Sequence, residues 1–67
     1  MSFETFKETA RPIFGTVSGN ADRARVAVTG KRMFAKVAAL AEQHGGVVAP
    51  DTGRYPQLMS ITFQPEI

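Results

Sequence analysis

The chain reads as a small α+β domain of order αββαββ, two-layered, with two helices packed on one face of a mostly antiparallel four-stranded sheet. Three observations predict it. Gln57 to Phe63 alternates cleanly, with Met59, Ile61 and Phe63 on one side and Leu58, Ser60 and Thr62 on the other. Residues 30–44 carry an apolar stripe at helical spacing and run into Gly45-Gly46. Arg23 to Thr29 sets Ala24, Val26 and Val28 against Arg25, which favours a strand over a helix capped by Asn20.

The first helix is predicted over 3–11. Ser2 is a suitable cap, Glu4 complements the positive end of the dipole, and Phe3, Phe6 and Ala10 share one face. Pro12 disfavours a helical Arg11, so the spacing predicts an extended strand over 13–18. Gly19 to Asp22 then reverses the chain and makes a hairpin with 23–29, because Gly and Asn tolerate positive φ and Asp bonds its own turn. Thr29 is the expected cap of the second helix, whose stripe is Met33, Val37, Leu40, Ala41 and His44, with Phe34 at its edge. Gly45 should terminate it in a left-handed conformation. Val47 to Ala49 follows as a short strand stopped by Pro50, and 51–56 is a loop. A shift of 34 lays Phe6 and Glu8 over Leu40 and Glu42, Ile13-Phe14 over Val47-Val48 and Ser18-Gly19 over Thr52-Gly53, a faint internal duplication.

Sixty-seven residues are expected to form a single domain over 1–67, near the size at which a core buries only roughly 60% of the unfolded surface. The absence of cysteine excludes disulfides and thiolate metal sites, and favours a reducing, intracellular and cytoplasmic setting. No apolar run approaches the roughly 20 residues of a membrane span. The net charge is only +2, but five of the eight basic residues fall between Arg23 and Lys36.

Two basic sites stand out. Lys31 and Arg32, after Thr29-Gly30, lie where a helix start attracts anions and where cations oppose the helix dipole. The segment is not a P-loop, since that pattern needs Gly where Arg25 stands and Ser or Thr where Arg32 stands. Arg23 and Arg25 should project from the sheet face away from the helices, with Thr16, Ser60 and Thr62. Phe14 and Tyr55 are the only aromatics expected near that face, too few for a base-stacking platform.

Catalytic patterns are weak. Asp51-Thr52-Gly53 matches the triplet of the aspartic proteases, yet its flanks lack the apolar strand expected around that loop, and it reads as a turn. His44, the single histidine, has no second histidine for a metal pair and is expected to serve the C-terminal end of its helix. Ala35 and Ala39 form a smooth exposed strip on the second helix. No enzyme activity, cofactor or metal is expected.

The expected function is therefore that of a surface. The chain reads as a non-enzymatic interaction protein that binds and regulates or inhibits a larger intracellular protein, of the kind phages and mobile elements encode. Arg23, Arg25, Lys31, Arg32 and Lys36 are its candidate contacts. The alternative is a nucleic-acid-binding module using the same five residues. A homodimer formed through an exposed edge strand is a third expectation.

Overall fold

A computed structural model describes residues 2–64, in the order α1 (Ser2–Phe14), β1 (Val17–Asn20), β2 (Arg23–Val28), α2 (Lys31–Gln43), β3 (Gly46–Val48) and β4 (Gln57–Phe63). The αββαββ order is as expected. All strand pairings are antiparallel, and the sheet order is β1-β2-β4-β3, so the last strand inserts between β2 and β3. β4 is thereby a central strand. Its alternation follows from that place: Met59, Ile61 and Phe63 are buried, while Leu58 and Thr62 face outward.

α1 differs most from expectation. It continues through Pro12 to Phe14, so Ile13-Phe14 is helical, not the start of a strand. Pro12 has no N–H to give the Glu8 carbonyl, and the helix loses that bond. The apolar stripe decides the outcome, because Phe14 prolongs the series Phe3, Phe6, Ala10 and packs against the core, whereas Ile13 is left exposed. Gly15, at φ +91°, ends the helix, its N–H bonding the Arg11 carbonyl at 3.0 Å. The capping role expected of Ser2 rests on a side chain outside the described ones.

β1 consequently starts later than expected, at Val17, and Gly19 and Asn20 belong to the strand instead of the turn. Asn20 pairs with Arg23 around a two-residue turn of Ala21 and Asp22. The turn is held by Asn20, not by Asp22: the Asn20 Oδ1 accepts the backbone N–H of Asp22 at 3.1 Å and of Arg23 at 3.2 Å. The Ala21 carbonyl accepts the Phe63 N–H at 2.8 Å and ties the hairpin tip to β4.

α2 carries the expected stripe. Val37 and Ala41 are buried, Met33, Phe34 and Leu40 pack half-buried at their flanks, and Gly45 terminates the helix at φ +81°. The cap is Gly30 in extended conformation, without a side-chain bond, and not Thr29. The Thr29 hydroxyl is aimed at Met33 Sδ, 3.7 Å away. β3 begins at Gly46, one residue earlier than expected, and Ala49 follows it with an N–H bond to the Ser60 carbonyl at 3.0 Å.

Both helices cover one face of the sheet. The core joins Phe3, Phe6 and Ala10 of α1 and Val37 and Ala41 of α2 to Val17, Ala24, Val26, Val28, Met59, Ile61 and Phe63. Phe6, Phe63, Met59 and Ile61 are almost wholly buried, each worth about 1.5–3 kcal/mol against exposure. Phe63 is the hub, its ring 5.2 Å from that of Phe6 and 5.6 Å from that of Phe3. Of the positions paired by the shift of 34, Phe6 and Glu8 share helix with Leu40 and Glu42, but Ile13-Phe14 is helix against strand at Val47-Val48, and Ser18-Gly19 is strand against loop at Thr52-Gly53.

Candidate functional site

β2 alternates by burial as the sequence predicts. Ala24, Val26 and Val28 point into the core, and Arg23, Arg25 and Ala27 point out to the uncovered face. The register then assembles that face across the strands. Asn20 stands opposite Arg23, Ser18 opposite Arg25, Ser60 on the other side of Arg25, and Leu58 beside Ala27. At the far edge Val47 stands opposite Thr62. The face is polar and basic toward the hairpin and apolar at two places, Leu58 and Val47, both of which are about 60% exposed. Both helices pack in the other layer, against the core side of the sheet.

Over the hairpin the surface sinks into an open depression of about 350 Å³, lined by Ser18, Gly19, Asn20, Arg23 and Arg25. It exists because β1 bears small side chains beside two long ones on β2. Gly19 is required there twice over: its φ is +85°, and a Cβ would collide with the Arg23 carbonyl oxygen. The Ser18 hydroxyl donates to the Arg25 carbonyl at 3.3 Å. Ser18 and Asn20 are the residues that sequence reasoning missed. The signal was present, since closing the hairpin at Ala21-Asp22 places both beside the arginines.

The five basic candidates divide into two groups. Arg23 and Arg25 share the open face. Lys31, Arg32 and Lys36 are exposed on α2, in the other layer. Between the groups lies the second half of β2, whose rise from Arg25 to Val28 is about 10 Å. Of the other residues expected near the face, Thr16 lies in the loop before β1, and Phe14 and Tyr55 pack against the core. Only Ser60 and Thr62 join the arginines there.

The 51–56 loop is held by its own side chains. The Asp51 carboxylate accepts the Tyr55 hydroxyl at 2.6 Å, the Gly53 N–H at 2.9 Å and Gln57 Nε2 at 3.1 Å. Thr52 Oγ1 donates to Gln57 Oε1 at 3.1 Å and accepts the Arg54 N–H at 3.2 Å. Asp51 is therefore a turn acceptor, held below the usual carboxylate range first by the Tyr55 hydroxyl and next by the Gly53 N–H. The Tyr55 phenol is pushed up, chiefly by loss of water around it and then by the Asp51 hydrogen bond.

His44 closes α2 with its backbone N–H on the Ala41 carbonyl, and its ring meets Phe6 edge-on with centroids 6.4 Å apart. Among the described residues, no three His, Asp or Glu side chains are gathered to hold a metal ion. No described helix is long and apolar enough to cross a membrane. Ala35 and Ala39 lie exposed on α2. Comparison of the chain with protein-family models, with curated proteins and with solved structures finds no match, and the open face with its two arginines is the feature on which a functional reading stands.

Proposed function

We propose that this chain is a protein-interaction module that docks its open sheet face on a larger partner protein and regulates or inhibits it by occupancy, without catalysis. The single observation that carries the reading is the division of the sheet: one face lies under both helices, and the other is uncovered among the described residues and bears Arg23, Arg25, Leu58 and Val47. A surface that mixes arginines with exposed aliphatic groups matches the composition of protein interfaces, where arginine is enriched and apolar contacts supply desolvation.

The same geometry counts against nucleic acid. A phosphate-tracking surface needs a run of cations and aromatic rings on which bases stack. Here two arginines are the only cations on the sheet face among the described residues, Lys31, Arg32 and Lys36 lie in the other layer, and the rings of Phe14 and Tyr55 pack against the core.

Affinity capture with face variants tests the reading. Arg25→Glu and Leu58→Asp on the sheet should each lose a partner that the parent chain retains, while Arg32→Glu and Lys36→Glu on α2 keep it. All four positions are exposed, so stability should change by no more than about 0.5 kcal/mol in the α2 variants and about 1 kcal/mol in the two strand variants. Loss of the partner in the α2 variants alone would move the site to the helix layer. Retention of nucleic acid, with affinity falling steeply as salt rises, would replace the reading altogether.

A further inference from the structure

Four outward residues form a square at the hairpin: Asn20 opposite Arg23 and Ser18 opposite Arg25. Opposed residues of an antiparallel pair hold their Cβ atoms about 5 Å apart, so the side chains share one small surface. Their hydrogen-bonding capacity is unevenly spent. The Asn20 Oδ1 is committed to the N–H groups of Asp22 and Arg23, which fixes the amide and leaves its Nδ2 to present donors. The Ser18 hydroxyl proton is committed to the Arg25 carbonyl. Each guanidinium offers a planar fork that fits a carboxylate through two parallel bonds. Among the described residues the depression is lined by the two guanidinium groups, the Asn20 amide and the Ser18 hydroxyl, and by no carboxylate.

We propose that the hairpin depression is a carboxylate-binding cradle, in which Arg23, Arg25 and the Asn20 amide hold an acidic side chain of a partner protein. Charge complementarity selects the occupant. A second copy of the same hairpin would bring arginines against arginines, whereas an acidic segment supplies the acceptors that all three groups lack. The inference rests on the reading that this face docks a protein, and it adds the chemistry of the contact and the residue that aims it.

The test is amide-resolved NMR of the full chain titrated with a hexaglutamate peptide and, separately, with an oligothymidylate of equal charge at the same ionic strength. The peptide should shift the amides of residues 18–25 saturably. Arg25→Gln should weaken that binding about fivefold, the scale of one charged contact. Asn20→Asp should weaken it at least as much, because it keeps the Oδ1 acceptor of the turn while replacing the Nδ2 donor with an acceptor. An unchanged amide pattern elsewhere shows that each variant is folded. The proposal is overturned if the peptide leaves the hairpin amides unmoved, if it shifts the 31–36 amides instead, or if the oligothymidylate binds the hairpin more tightly. A partner released by Leu58→Asp but held by Asn20→Asp would sink the cradle and leave the docking face standing.

Discussion

Gly46 of β3 lies opposite Phe63 of β4 so closely that a Cβ at position 46 would come within 2.8 Å of the Phe63 ring and of Ile61 Cγ2. Phe63 and Ile61 are buried, and the rings of Phe3 and Phe6 stand against Phe63, so the core has nowhere to move it. Gly46→Ala should cost about 1–3 kcal/mol by overpacking. Gly45→Ala, next to it, meets no atom and suffers only its φ of +81°, a cost of about 1 kcal/mol. Denaturant unfolding of the two variants should rank them in that order, and the reverse order would place the strain in the helix end instead of the core.

Phe6 joins α1 to the Phe63 ring and to the edge of His44. Phe6→Ala should lose about 3–5 kcal/mol, a large part of the margin of a chain this short. Leu40 packs at the flank of the core and is only half-buried, so Leu40→Ala should lie at the low end of core truncations, about 2 kcal/mol. Equal losses from the two variants would mean that α2, not α1, closes the core.

Tyr55 is the sole tyrosine and the chain has no tryptophan, so phenolate absorbance reports the 51–56 loop alone. The phenol should ionise above its ordinary value of 10.0, and Asp51→Asn should bring it part of the way back, because the partial desolvation of the ring remains. A raised folded value means that the contribution to stability is present below pH 10.0 and is lost as pH rises through the folded value. Asp51 works in the opposite sense. Its folded value is depressed, so its contribution is present above the ordinary 3.8 and is lost as pH falls through the lower folded value. Asp51→Asn should therefore flatten the acid limb of the stability curve. An unshifted Tyr55 titration in the parent chain would show that the Asp51–Tyr55 bond does not persist in solution.

Pro12 is exposed and withholds an N–H from the Glu8 carbonyl within α1. Pro12→Ala should restore that bond and stabilise the chain by about 1 kcal/mol or more. A lower melting temperature would instead show that the ring is needed to steer the chain into Gly15.

The parts of the fold legible in the sequence were those in which one element buries one face. β4 and β2 alternate, and α2 carries an unbroken stripe, so their faces could be assigned residue by residue before any partner was known. Ile13 and Phe14 were misread because the residue before a proline prefers extended backbone, a local bias that the packing of Phe14 outweighed. The turn was misplaced for a related reason. Gly19 has the positive φ of a turn residue but uses it inside β1, where only a glycine clears the Arg23 carbonyl.

The candidate site shows the same division. Sequence periodicity by itself determined that Arg23 and Arg25 point the same way and that neither lies on the face with Val26, because side chains on a strand alternate whatever lies beside it. Only the tertiary structure decided their company. The hairpin register set Asn20 and Ser18 next to the arginines, and the crossing from β2 into α2 carried Lys31, Arg32 and Lys36 into the other layer. Residues close in the chain were parted, and residues across a turn were joined, because sheet pairing and layer packing act between segments that local sequence cannot bring together.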